Sequence, residues 1–286
     1  MGSTGFDTPV VLAYKPATCD ALEIAGSPAL AALTDLGQVR RARIHAVSTA
    51  ARVLEEDPGL GAGIPEPQWP LAVGASLAPT YDFDRGPWRF APRPDPGGFG
   101  ALLLEGLIVI RIHAETRSHI ELLGEGDMIS PWVGTGQELT LPTVVTASVV
   151  SRARVAMLDR RFALRTARWP EIHAALFQRL IVRTRRLSLQ SAINALSRIE
   201  DRLEVTLWEL ALRFGRVTPD GLVLDLPLTH SQVADMVAAQ RPSVSTAFAR
   251  LQDHGRIVST ARHRWLMLGD PPSMLSSLAQ QSGLVP

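Results

Sequence analysis

The residues best suited to chemistry in this chain lie between Leu228 and Ile257, where Arg241, Ser243, Thr246 and Arg250 recur on one side of a short periodic segment. Two guanidiniums and small hydroxyls, with no large apolar group among them, make a face fit for base edges in a major groove. There an Arg can take guanine O6 and N7 together. On the opposite side Val244, Phe248 and Leu251 follow at spacings of four and three, the pattern of one buried helix face. Pro242 is predicted at the first position of that helix, because its missing N–H would be unpaired there anyway. Upstream, Thr229 and Gln232 have the spacing of a capping box, with Leu228 and Val233 as a hydrophobic staple. A first helix is therefore predicted over His230–Val237 and a turn over Ala238–Gln240.

Two short helices across a tight turn, one of them offering such a face, read as a DNA-binding helix-turn-helix. The plain alternative is a pair of ordinary surface helices, and the next stretch of the chain argues against it. Gly255 closes the second helix, and Ile257–Leu268 reads as two strands around a basic tip, Arg262, His263 and Arg264. Between Arg241 and Arg264 five Arg stand against one acidic residue, Asp253. A small basic hairpin after a helix-turn-helix is a winged helix, whose wing tracks phosphates.

The length of 286 residues predicts two domains. A net charge of +1 says little, but from Trp169 onward 13 Arg face 10 acidic residues, so the positive excess sits on the side of the reader. The single cysteine, Cys19, excludes an internal disulfide, a multi-thiolate zinc site and a four-cysteine iron–sulfur cluster. No cofactor is implied. The sequence shows no secretory signal and no apolar run near the ~18 residues of a membrane span, so a soluble, cytoplasmic protein without membrane contact is expected.

The rest of the chain supplies the scaffold of the reader. Residues 1–68 read as an extension, partly helical, with helical spacing from Pro28 to Glu56 broken at Gly37. Residues 69–168 read as a roll. Ile108, Ile110 and Ile112 alternate with Val109, Arg111 and His113 in the period of a half-buried strand, Ser118–Leu123 pairs with it, and Thr140–Val150 and Arg154–Leu158 add further strands. Residues 169–197 read as a long connecting helix. Its unbroken stretch of about 27 residues spans roughly 40 Å. Leu176, Leu180 and Leu187 occupy seam-like positions on it, interrupted by Arg183 and Asn194, and a dimer seam is expected there because reading a palindrome requires two-fold symmetry. Residues 198–286 form the DNA-binding domain, with a helix from Ile199 to Phe214 stopped by Gly215 and a hairpin turned by Pro219-Asp220-Gly221.

A strand roll, a long helix and a winged helix in that order resemble the Crp/Fnr family of bacterial transcription regulators. The likeness is carried by Leu228-Thr229, Val233-Ala234, Arg241, Ser243-Val244-Ser245, Leu251 and Gly255-Arg256-Ile257, and less specifically by Leu104-Glu105-Gly106 and Gly126-Asp127 in the roll. The resemblance implies an α+β fold: a jelly-roll-like β-roll of the cyclic-nucleotide-binding type, a dimerisation helix and a C-terminal winged helix-turn-helix. It implies a homodimeric regulator that is not an enzyme and binds double-stranded DNA. Arg241, Ser243, Ser245 and Thr246 would face bases, and Thr229, Ser231, Arg250, Arg262, His263 and Arg264 would face phosphates. The family's glutamate and second arginine of the reading helix are replaced here by Pro242 and Thr246, so a different half-site is expected.

The roll departs further. In members that bind cyclic AMP, a glycine-glutamate pair holds the ribose and an arginine neutralises the cyclic phosphate. Here Gly126-Asp127 is followed by Met128-Ile129-Ser130-Pro131-Trp132, and no arginine occurs from Val133 to Val150. Without a guanidinium the cost of desolvating a phosphodiester is not offset. Cyclic AMP is therefore not expected to bind in the family's manner. Met128 and Trp132 are candidates for lining a different effector pocket, or else for the core. The roll thus either senses a small molecule or only joins protomers, and an activator would also need a surface for RNA polymerase. The reading from another class is a metal-dependent jelly-roll enzyme, for which His113, His119 and Glu121 would be the ligands.

Overall fold

The computed structural model describes residues 48–88, 97–114, 117–129, 144–273 and 275. The chain divides into two compact units, one comprising the chain up to Ile110 with Leu123–Phe177, the other comprising Arg111–Leu122 and Gln178 onward.

The first unit is built mainly of strands: β1 (Ser48–Arg52), β2 (Leu77–Phe83), β3 (Gly86–Pro87), β4 (Gly100–Glu105), β7 (Met128–Ile129), β8 (Val144–Val149) and β9 (Ala153–Leu158), with β5 (Ile108–Ala114) and β6 (Arg117–Leu123) crossing the division. One sheet runs β1-β2-β9-β4-β7 and the other β3-β8-β5-β6. Short helices α1 (Val53–Glu56) and α2 (Trp69–Ala75) lie between β1 and β2, and α3 (Arg160–Thr166) follows β9. Asp159 caps α3, its carboxylate accepting the Phe162 N–H at 2.8 Å. Gly106 adopts φ +94, and a Cβ there would run into the Arg152 carbonyl oxygen, so this turn tolerates no side chain. Gly126 at φ +79 turns the chain next to Asp127, whose carboxylate accepts the Gly124 N–H at 2.8 Å.

Two expectations change. Ser48–Arg52, assigned by spacing to a helix, is a strand paired antiparallel with Leu77–Tyr81. A five-residue Ser-Thr-Ala-Ala-Arg segment has weak local preference, and the ladder supplied by a partner about thirty residues away decides its state. The second concerns β5, where Ile108, Val109 and Ile110 are all buried, so the alternation expected there does not translate into one wet face.

The helix α4 (Pro170–Asn194) passes from the first unit into the second. The second unit continues with α5 (Ile199–Phe214), β10 (Arg216–Thr218), β11 (Gly221–Asp225), α6 (His230–Met236), α7 (Arg241–Asp253), β12 (Ile257–Ala261) and β13 (Arg264–Met267). Its four strands form one antiparallel sheet in the order β10-β11-β13-β12. Helix α7 packs on both α5 and α6. The core between helices and sheet holds Leu203, Leu207 and Leu210 of α5, Val233 of α6, Phe248 and Leu251 of α7 and Trp265 of β13. No helix among the described residues is long and apolar enough to cross a membrane.

Candidate DNA-reading surface

The reader is assembled by local signals. Thr229 caps α6 with a complete capping box: its Oγ1 accepts the Gln232 N–H at 3.2 Å, and its own N–H donates to Gln232 Oε1 at 2.8 Å. Leu228 and Val233, the staple pair, are both buried. The turn places Ala238 at φ +52, and the Ala239 N–H returns to the Ala234 carbonyl at 2.9 Å. Helix α7 then starts one residue earlier than the sequence indicates, with Gln240 as its N-cap, Arg241 as its first residue and Pro242 as its second. Proline is still within the first turn, where no intrahelical donor is lost.

The two sides of α7 separate as their chemistry requires. Val244 is 0 % exposed and Phe248 3 %, with Ala247 and Leu251 equally covered. Arg241, Pro242, Ser245, Thr246 and Arg250 are exposed, and Ser243 is half-buried. The Thr246 hydroxyl donates back to the Pro242 carbonyl at 3.2 Å, which leaves its lone pairs outward. Thr229 and Ser231, at the start of α6, are exposed as well.

The cations expected on phosphates are exposed but not idle. Arg250 pairs with Glu200 of α5, and that hydrogen bond is the first cause holding the Glu200 carboxyl below its ordinary range. Arg264 Nε donates to Asp225 at 2.8 Å. Exposed pairs of this kind are screened by solvent and contribute little, so a phosphate can compete for either guanidinium at small cost. The wing tip is held differently. His263 sits at φ +63, its Nδ1–H donates to the Leu228 carbonyl at 2.7 Å, and its Nε2 accepts from Arg262 Nε at 3.2 Å. Both ring nitrogens are therefore engaged, and the residue ties the wing to the segment that leads into α6.

His230, which the sequence did not single out, is the first residue of α6. Its ring stacks on Phe248 (centroids 4.7 Å apart, planes at 11°), Phe248 stacks on Trp265 (5.4 Å, 21°), and His230 Nδ1 lies 3.0 Å from Ser245 Oγ. Burial first, then the charges of Arg241 and His263, hold the His230 pKa below the usual 6.5. No local pattern marks this contact, because the two residues are 15 positions apart and meet only when α6 packs on α7.

The same unit holds strands β5 and β6 by ion pairs and hydrogen bonds. Arg183 of α4 grips Glu121 with Nε and one Nη, each at 2.7 Å, and both side chains are nearly buried, at 6 % and 11 % exposure. Arg111 donates to Ser118 Oγ at 2.9 Å and pairs with Asp235 of α6. Arg213 of α5 donates to the Leu122 carbonyl at 3.0 Å. A small pocket of about 40 Å³ remains beside them, lined by His119, Glu121, Gln190, Glu209, Arg213 and Met236 among others.

Of the expected seam residues, Leu176 and Arg183 are buried within the single chain, Leu180 and Leu187 are half-buried, and Asn194 accepts from Gln190 at 3.1 Å. Met128 is fully buried where β7 pairs with Leu102 of β4, and Trp132 lies outside the described residues. As for the metal reading, Glu121 is engaged by Arg183, and no group of three or more His, Cys, Asp or Glu among the described residues is placed to hold a metal ion.

Residues 201–276 match the Crp-like helix-turn-helix domain. Over 200 residues the chain is 29 % identical to a CRP-like cAMP-activated global transcriptional regulator of Mycobacterium tuberculosis, covering 67 % of this chain and 85 % of that one. Its fold is similar to a cyclic nucleotide-binding domain containing protein from Listeria monocytogenes (TM-score 0.55, 14 % identity, 74 % of this chain and 96 % of that one). It is similar also to a CRP/FNR family transcriptional regulator from Thermus thermophilus (TM-score 0.52, 22 % identity, 70 % and 98 %).

Proposed function

We propose that this chain is a DNA-binding transcription regulator of the CRP/FNR type and acts as a cytoplasmic homodimer reading an inverted repeat through α7. Arg241 takes a guanine, Ser243, Ser245 and Thr246 face neighbouring base edges, and Thr229, Ser231, Arg250, Arg262 and Arg264 face phosphates. His263 acts on the wing's shape rather than by direct contact. The observation that carries this reading is the division of α7 into a hidden Val244-Phe248-Leu251 side and an outward Arg241-Ser245-Thr246 side. The dimer seam runs along α4 through Leu180 and Leu187, which are still half exposed, while Leu176 and Arg183 support the single chain. Cyclic AMP is not the effector in the manner that the name of the mycobacterial relative suggests, since no arginine lies between Val133 and Val150 to meet its phosphate.

Selection of bound duplexes from random DNA tests the core of this proposal. Half-sites about one helical turn apart and two chains per duplex are expected. A protein that retains no duplex at low ionic strength refutes it. On the selected site, Arg241→Ala should cost about 1–3 kcal/mol and relax one position, while Arg264→Ala should weaken all sequences alike and lower the salt slope. Equal losses on specific and random DNA for both variants would contradict the assignments. Repeating the selection with a metabolite panel separates a sensing roll from one that only joins protomers, and calorimetry with cyclic AMP should show no saturable micromolar binding.

A further inference from the structure

We propose that His230 is a specificity-determining positioning residue, which sets through its hydrogen bond whether the Ser245 hydroxyl offers lone pairs or its proton to a base edge, so that discrimination at one base pair follows the protonation of the ring. This inference rests on α7 being the helix that enters the groove.

The geometry fixes the ring before the serine. The imidazole lies flat on Phe248, which lies flat on Trp265, and the two inner rings are buried in the core of the second unit. Stacking on that column, not the serine, holds the imidazole plane. The movable partner across the 3.0 Å contact is the Ser245 hydroxyl, one proton and two lone pairs on a freely turning bond. With Nδ1 bare, the hydroxyl gives its proton to the ring and shows only lone pairs outward. Those suit the exocyclic amines of adenine N6 and cytosine N4. With Nδ1 protonated, the hydroxyl accepts from the ring and its proton is released to face guanine O6 or N7, or thymine O4. One proton on His230 thereby exchanges an acceptor for a donor at the same point on the surface.

The charges that face the ring are Arg241 from the start of α7 and His263 from the wing, with Arg262 behind the latter at 3.2 Å. With burial they favour the neutral ring, and in its Nε2–H tautomer Nδ1 is bare, so that Ser245 is an acceptor at neutral pH and becomes a donor on acidification. Nothing in the sequence spacing of Ser245 alone indicates this. A serine at the fifth position of a reading helix is otherwise an indifferent contact, able to donate or accept as the base demands.

The test uses the full chain and a duplex selected from a random library at pH 7.5, with every position permuted to the four base pairs. Affinities are measured by fluorescence anisotropy from pH 7.5 to pH 5.0 at constant ionic strength. The position under Ser245 is the one whose discrimination Ser245→Ala removes. At that position wild type should prefer adenine or cytosine by about fivefold at pH 7.5, the worth of one hydrogen bond, and lose or reverse the preference as the imidazole takes up its proton, followed by its ¹⁵N shifts. Because the readout is a ratio between duplexes, pH effects on phosphate contacts cancel. His230→Phe keeps a ring for the stack and should make the ratio independent of pH, and ¹⁵N shifts of the wild-type imidazole should show Nδ1 bare at pH 7.5. A ratio in wild type that ignores pH, a pH dependence retained in His230→Phe, a protonated Nδ1 at pH 7.5, or a Ser245→Ala variant that flattens no position would each overturn the proposal while sequence-specific binding survives. Absence of any sequence-specific binding by wild type at pH 7.5 instead overturns the DNA-reading assignment on which it rests.

Discussion

Replacing Arg183 by methionine is expected to destabilise the second unit by about 3 kcal/mol, and the reason lies in the group left behind rather than the one removed. In the native chain both Glu121 oxygens receive charge-assisted hydrogen bonds at 2.7 Å from a guanidinium that is itself nearly enclosed. Breaking a buried pair from one side costs about 3–5 kcal/mol, because the surviving charge is neither solvated nor paired. The lower end applies here. Glu121 borders the pocket of about 40 Å³, a space large enough to hold a water that could reach the stranded carboxylate. At about 3–5 °C per kcal/mol, between the values for roughly 60–100 and 150–250 residues, the melting midpoint should fall by roughly 9–15 °C.

The double variant Arg183→Met with Glu121→Leu should recover most of that loss, since replacing both members of a buried pair by apolar groups is often neutral. The assay is thermal and urea unfolding of wild type, both single variants and the double variant, analysed as a cycle. A coupling of about 2 kcal/mol or more is expected. If Arg183→Met alone moves the midpoint by less than about 2 °C, or if the double variant is less stable than either single variant, then Arg183 and Glu121 are not a buried, mutually dependent pair.

Three further outcomes are expected from the geometry. Thr229→Ala removes the oxygen that accepts the Gln232 N–H and should lower stability by about 1 kcal/mol, with Thr229→Ser close to wild type in the same urea titrations. Ala238→Gly should raise stability by up to about 1 kcal/mol, because the left-handed backbone at φ +52 costs an alanine more than the extra chain entropy costs a glycine; a lower urea midpoint would contradict this. Finally, His119, His173 and His230 all have pKa values depressed first by burial, which Glu121 and Asp235 partly oppose at His119. The unfolded chain then binds more protons than the folded one just below pH 6.5, so stability should be full above that pH and fall as the pH drops through the depressed values. Urea midpoints that stay level or rise between pH 7 and pH 5 would contradict it.

The features legible in the sequence are those whose causes are local. Thr229 and Gln232 are three residues apart, Gly215 comes directly after the last residue of α5, and Val244, Phe248 and Leu251 repeat at helical spacing. Each of these works through contacts within one or two turns, so the chain states them in order. Arg183 shows the opposite case. In sequence it is a polar break in a leucine seam, and only the return of β6, 62 residues earlier in the chain, reveals it as one half of an enclosed ion pair. Arg111 and Asp235 are 124 residues apart, and no spacing rule could join them. The same division runs through the reader itself. The outward face of α7 can be predicted from periodicity, but what each outward group offers depends on its neighbours in space: Arg250 on Glu200, Arg264 on Asp225, Ser245 on His230. Two reading helices with identical outward residues would therefore select different bases if the first residue of the preceding helix differed. On the proposed assignment, a half-site deduced from Arg241, Ser243, Ser245 and Thr246 alone should fail at the Ser245 position and hold at the guanine proposed for Arg241.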